Sequence, residues 1–163
     1  MVTVRFVNSE LDYIEAYRVY YYGTNRSNID LVIEIIALIM GSILFNVSGF
    51  SLAGAILIIA GIIGIIIRII GYYVLPSIRY RREPKYKEEY LLEFDDEEIR
   101  FKTASVESRL EWSIYNKVIE TEKLYILVYS RDGFSIIPKR AFLSKSDELK
   151  FKNLIDRYIL RKK

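Results

Sequence analysis

Two long apolar runs with a short break between them constrain this chain more than any other feature. They lie in Leu31 to Leu75, on either side of Phe45 to Ser51. Each is about as long as the roughly 20 apolar residues that carry a helix across the hydrocarbon core of a bilayer. The core helix of a soluble domain rarely needs such a length. The pattern therefore predicts a hairpin of two membrane-spanning helices, about Asp30 to Asn46 and Leu52 to Leu75, turning at Asn46-Val47-Ser48-Gly49. The first span carries one charge, Glu34, and the second carries Arg68. At about −0.3 to −0.6 kcal/mol for each Ile, Leu or Val, a dozen apolar residues outweigh the roughly +3 kcal/mol of a single charge.

The charges outside the hairpin set its direction. Arg79, Arg81, Arg82, Lys85 and Lys87 follow the second span, Arg18 and Arg26 precede the first, and the loop between the spans has no charge. The positive-inside rule then places both termini in the cytoplasm, with Tyr72, Tyr73 and Tyr80 at the inner interface. Met1 to Phe6 lacks the features of a secretory signal, so no cleavage is expected.

A helical wheel at about 100° per residue gathers Ala53, Gly54, Ala60, Gly61, Gly64 and Gly71 on one face of the second span, together with Arg68. Ala37, Gly41 and Glu34 share a stripe on the first. Small residues let helix backbones approach closely in lipid, so the two stripes are expected to face each other. Glu34 and Arg68 then lie at comparable depth, and two readings are open. They form an intramembrane ion pair that fixes the register of the hairpin, or each snorkels separately to the inner interface.

The polar remainder is small. Hydrophobic residues make up 52% of the 163 and charged residues 28%, an average over two segregated regions, since charge is sparse in the hairpin and dense after Ser77. There is no Cys and no His, which removes thiol nucleophiles, disulfides, the usual zinc ligands and the commonest acid/base side chain. No Ser/Lys or paired-carboxylate spacing stands out in their place, so no catalytic residue, metal site or cofactor is expected. A net charge of +3, concentrated beside the hairpin, argues against a nucleic-acid partner.

Four segments follow: 1–29, an N-terminal strand and helix; 30–75, the hairpin; 76–87, a basic juxtamembrane linker broken by Pro84; and 88–163, a cytoplasmic domain. Val2, Val4 and Phe6 alternate with Thr3 and Arg5 as in a half-buried strand. Ser9, with Asp12 three residues on, caps an amphipathic helix over Glu10 to Tyr22, and Thr24 to Asn28 forms a polar connector. In the last segment, strands are predicted at Tyr90 to Phe94, Ile99 to Lys102, Leu110 to Ile114, Lys117 to Glu120, Leu124 to Tyr129 and Phe134 to Ile137. Asp95-Asp96 marks one turn and Asp132-Gly133 a hairpin. Pro138 ends the last strand. Ser144 caps a final helix whose Leu149, Phe151, Leu154, Ile155, Tyr158 and Ile159 form an apolar face, and Arg161-Lys162-Lys163 suits its negative end. The acidic run Glu93 to Glu98 lacks the glycine and terminal glutamate of a calcium loop and reads as a solvated turn.

The fold class expected is an α+β membrane protein: the helical hairpin plus a bent antiparallel sheet or barrel, of pleckstrin-homology (PH)-like outline, capped by the C-terminal amphipathic helix. Leu110-Glu111-Trp112-Ser113 on a strand and Ile137-Pro138-Lys139-Arg140-Ala141-Phe142 before the last helix make the segment from about Tyr90 to Ile159 resemble the C-terminal domain of YcxB-like bacterial membrane proteins. The resemblance implies a bacterial inner membrane, a PH-like module and a strand from before the spans, Val2 to Val7, that joins the C-terminal sheet. It brings no catalytic residues.

Trp112 is expected as a core anchor. Arg79, Arg81, Arg82, Lys139 and Arg140 are the candidate contacts for an anion or lipid headgroup; the plainer reading is a stop-transfer flank that only sets topology for the first three, and a solvated corner or pairing with acidic residues near Asp147 for Lys139 and Arg140. Two functions remain. One is an interaction module held on the bilayer, binding a protein segment or lipid headgroup. The other is a subunit of an oligomeric membrane assembly, such as a transporter accessory, an immunity factor or a channel-like complex, with a membrane-protein partner or further copies of this chain.

Overall fold

The computed structural model describes residues 1–47, 51–131 and 133–160, with the side chains of Asn25 and Arg26 left aside. Ser48, Gly49, Asp132 and the Arg161-Lys162-Lys163 tail, each used in the sequence reading, lie outside the described residues. The chain divides into two compact units, Met1–Ala16 with Tyr80–Lys163, and Tyr17–Arg79.

The first unit is built on two antiparallel sheets. One has the order β1 (Val2–Val7), β2 (Glu89–Phe94), β3 (Ile99–Lys102), β4 (Glu107–Leu110); the other has the order β5 (Lys117–Glu120), β6 (Leu124–Ser130), β7 (Gly133–Pro138). β1 pairs with β2 in the register Val2↔Phe94 and Val4↔Leu92, so the strand that precedes the hairpin is an edge of a sheet formed after it. Its alternation is used as written, with Val2, Val4 and Phe6 buried and Arg5 and Val7 exposed. These side chains share one core with Phe94, Ile99, Tyr125, Leu127, Ile137 and, from helix α5 (Lys145–Ile155), Phe151 and Ile155. Burial of each large apolar side chain contributes about 1.5–3 kcal/mol, the main favourable term for this unit.

Several expectations are corrected here. The strands form two separate sheets, not a closed barrel. The predicted strand Leu110 to Ile114 ends at Leu110, and Trp112–Ile114 is a turn of 3₁₀ helix with Ile114 N–H donating to Glu111 O at 3.1 Å. Asn116 then donates to Val128 O at 2.8 Å as the chain enters the second sheet. An apolar residue at every second position fits a strand, but here it serves a crossing between sheets. In α5, Ser144 accepts from Asp147 N–H as a cap, whereas Leu149 is 61% exposed and leaves the apolar face to Phe151, Leu154 and Ile155, with Ile159 in the wider turn that follows.

The second unit holds α2 (Asn25–Val47) and α3 (Leu52–Ile69). The residues predicted as a polar connector are helical from Asn25 on. Ser51 caps α3, its side chain accepting from Gly54 N–H. A Cβ on Gly41 would lie 2.8 Å from Gly54 O, closer than real Cβ atoms come to anything, so hydrogen at these positions is what lets the helices touch. Ala53 and Ala60, placed on that seam by the wheel, are exposed, and the seam narrows to Gly54, Gly61 and Gly64.

The second helix also runs on past its predicted end. At Ile70–Val74 the turn widens, Leu75 N–H bonding back five residues to Ile70 O, and α4 (Leu75–Arg82) continues the helix through residues read as linker. Pro76 would break an ordinary helix because it has no N–H for the carbonyl four residues back, Tyr72 O. Here that oxygen accepts from Arg18 Nε at 3.1 Å, and the guanidinium sits 4.4 Å from the Tyr72 ring centroid. The wide turn and this replacement donor carry the helix past its proline.

Candidate functional site

Glu34 comes from the second turn of the apolar part of α2, and Arg68 from the last turn of α3. Arg68 Nε lies 3.1 Å from Glu34 Oε2, and Nη2 reaches Oε1 at 3.4 Å, a fork on a carboxylate. Nη1 donates to Ser27 Oγ at 2.9 Å. Gly64 leaves room for the acid, since a Cβ there would lie 2.9 Å from Glu34 Cγ. The pair is mostly withdrawn from solvent, with side-chain exposures of 20% for Arg68 and 16% for Glu34. Beside it opens a cavity of about 520 Å³, whose lining includes Tyr17, Tyr21, Tyr22, Asp30 and Ser27 as well as the pair. The sequence reading named Glu34 and Arg68 but missed Ser27 and Asp30. Their spacing from Glu34 on the same helix, seven and four residues, was the available signal.

The basic candidates are not brought together. Arg140 forks onto Asp12, Nη1 to Oδ1 at 2.7 Å and Nη2 to Oδ2 at 2.5 Å, and so ties the first turn of α1 (Glu10–Tyr22) to the turn after β7. Burial by itself would raise the Asp12 carboxyl, but hydrogen bonds from Arg140 and Ser9 and the charge of Arg140 together hold it below the usual carboxylate range. Lys139 Nζ bonds Glu120 at 2.6 Å, and Lys152 reaches the same oxygen at 2.9 Å. Both residues thus pair with acids, as the plainer reading held, although the acids are Asp12 and Glu120 and not the neighbours of Asp147. On α4, Arg81 faces Glu10 at 3.1 Å, and the Arg79 guanidinium stands 5.6 Å from the Tyr17 ring. Arg82 is exposed and makes no ion pair or hydrogen bond among the described residues.

Trp112 is 3% exposed, donates Nε1–H to Asp95 O at 2.9 Å and stacks on Tyr158. In the acidic run, Asp95 Oδ1 accepts from Glu97 and Glu98 N–H, which closes the turn between β2 and β3. No group of acids suited to a metal ion occurs among the described residues.

The family model described as YcxB-like protein matches residues 94–155. Residues 94–155 are similar to that family. The match runs from Phe94, at the end of β2, to Ile155, at the end of α5. The matched stretch contains Trp112 and the Lys139-Arg140 corner, while β1 and Asp12, which pair with β2 and with Arg140, lie upstream of the hairpin. No curated protein and no solved structure matches the chain.

Proposed function

We propose that this protein is a non-catalytic module anchored in a bacterial inner membrane, with α2 and α3 inserted as a hairpin and the YcxB-like domain presented in the cytoplasm to a protein segment or a lipid headgroup. The observation that carries the reading is the surface of the hairpin. Among the described residues two helices, Ser27–Val47 and Leu52–Arg82, are long and apolar enough to cross a membrane. Their outward residues are large and apolar, with Ile33, Ile36, Ile63 and Ile67 each about half exposed or more, and glycine turned inward. Water would penalise such a surface; hydrocarbon does not. Glu34 and Arg68 are then an intramembrane pair.

Two sheets sharing one core with α5 support the PH-like reading of the domain. Because Lys139, Arg140 and Arg81 already hold acids, anionic lipid is left to Arg82 of α4, at about 1 kcal/mol. The reading as an oligomer subunit is the weaker one, since Gly41, Gly54 and Gly61 are spent inside the hairpin.

The test is made on bacterial membranes holding the full chain, which lacks cysteine and so accepts single reporters at Thr3 and Lys123. Alkaline carbonate is expected to leave the protein with the membrane, and an impermeant thiol reagent to label both reporters only after lysis. Extraction by carbonate, or labelling of either reporter in intact cells, overturns the proposal. A discrete oligomer on mild detergent release favours the subunit reading.

A further inference from the structure

The cavity beside the Glu34–Arg68 pair carries unsatisfied groups of both signs. Asp30 is exposed at its edge and makes no hydrogen bond or ion pair among the described residues. Glu34 is already matched by Arg68, so among the described residues Asp30 leaves the lining with one uncompensated negative charge. Arg68, for its part, uses Nε, one N–H of Nη1 and one of Nη2, three of the five N–H groups a guanidinium offers. Its remaining two have no acceptor among the described residues. The rings of Tyr21 and Tyr22 line the same space, and aromatic faces attract ammonium groups.

A ligand suited to this arrangement has a cationic end for Asp30 and the tyrosines and an anionic end for Arg68. A simple phosphate meets two carboxylates, and a divalent cation meets an arginine where it needs six or more oxygens. A volume of about 520 Å³ suits a small organic group. The cavity opens where the predicted spans meet their polar flanks, the level of lipid headgroups. We propose that it binds the headgroup of an ethanolamine phospholipid, the primary ammonium on Asp30 and the phosphate on the spare N–H groups of Arg68. A primary ammonium donates hydrogen bonds to a carboxylate and a trimethylated one cannot, so ethanolamine is preferred over choline. The proposal rests on insertion of the hairpin.

The full chain is reconstituted into nanodiscs of phosphatidylcholine containing one-fifth phosphatidylethanolamine or phosphatidylglycerol, and the lipid retained after gentle release is counted by native mass spectrometry. The expected result is one ethanolamine lipid per chain, retained roughly tenfold over choline lipid. Asp30→Asn, which removes no contact of the fold, is expected to abolish the preference, and Tyr21→Leu to reduce it severalfold. Equal retention of ethanolamine and choline lipids, or an unchanged preference in Asp30→Asn, overturns the headgroup site while the hairpin stands. Displacement of the lipid by millimolar free phosphoethanolamine, which then binds equally in pure choline discs, assigns the site to a soluble ligand and overturns the lipid. Failure to enter discs of any composition overturns the hairpin reading and this proposal with it.

Discussion

The two units of this protein are packed by opposite rules. In the sheet unit, Phe94, Ile99, Leu124, Ile126, Ile137 and Phe151 are fully withdrawn from solvent, while the exposed positions of β1, Arg5 and Val7, alternate with buried ones. Along the seam of the hairpin the withdrawn residues are Gly41, Gly54 and Gly61, and many of the large apolar residues face outward. The first arrangement gains its stability by taking apolar area out of water. The second gains nothing that way if lipid surrounds it, and relies on close backbone contact and one matched pair of charges. One sequence thus contains two definitions of inside, and the surrounding solvent decides which applies.

The largest effect that could break this contrast lies in the sheet core. Phe151→Ala is expected to destabilise the first unit by about 3–5 kcal/mol. Denaturant melts followed by fluorescence of Trp112, the one tryptophan of the chain, measure it directly. Next is the matched pair. Glu34→Leu or Arg68→Leu alone strands a partly buried charge and is expected to cost about 1–3 kcal/mol of hairpin stability. In SDS titrations read by energy transfer between the helix ends, the double variant is expected to cost clearly less than the sum of the singles.

Gly41→Leu places a branched side chain where even a Cβ would come within 2.8 Å of Gly54 O, and is expected to cost about 1–3 kcal/mol by the same titration. Loss at this position, with little at Ala53 or Ala60, would sharpen the claim that glycine is the hairpin's core.

A smaller effect tests the tie between the chain's two ends. The Asp12 carboxyl is held below its ordinary value near 3.8, so its contribution is present above that pH and fades as pH falls through the lower folded value. Asp12→Asn is expected to lower the stability of the first unit by about 1–2 kcal/mol at neutral pH and to flatten the loss as pH falls below about 4. Melts at stepped pH check both. The smallest effect is the most discriminating: Ile63→Ala, on the outer surface of α3, is expected to change stability in lipid by less than about 0.5 kcal/mol.

Much of the fold was legible because it is local. The alternation of Val2, Val4 and Phe6, the Ser9 and Ser144 caps and the length of the apolar runs each report on neighbours in sequence. The Glu34–Arg68 contact was legible for a related reason, since two periodic helices joined by a short turn fix which faces and depths oppose. What sequence did not disclose is long-range. Arg140 meets Asp12 across 128 positions, and no periodicity records that. Nor does a pattern reveal that Trp112, spaced as in a strand, sits on a turn between sheets, or that Arg18 supplies the donor Pro76 lacks. Asp30 reads in sequence as an ordinary charge near a helix start; its place in a cavity depends on Tyr21 and Arg68, which reach it from other helices.

The solvent around the hairpin decides which packing rule holds there. Spin labels on single cysteines at Ile36 and Ile63, with Lys102 as a reference on the sheet unit, measure that in the full chain reconstituted in lipid. The outward hairpin sites are expected to collide often with dissolved oxygen and rarely with a water-soluble nickel chelate, the reverse of Lys102. Access of the chelate to Ile36 and Ile63 equal to that at Lys102 would contradict the account.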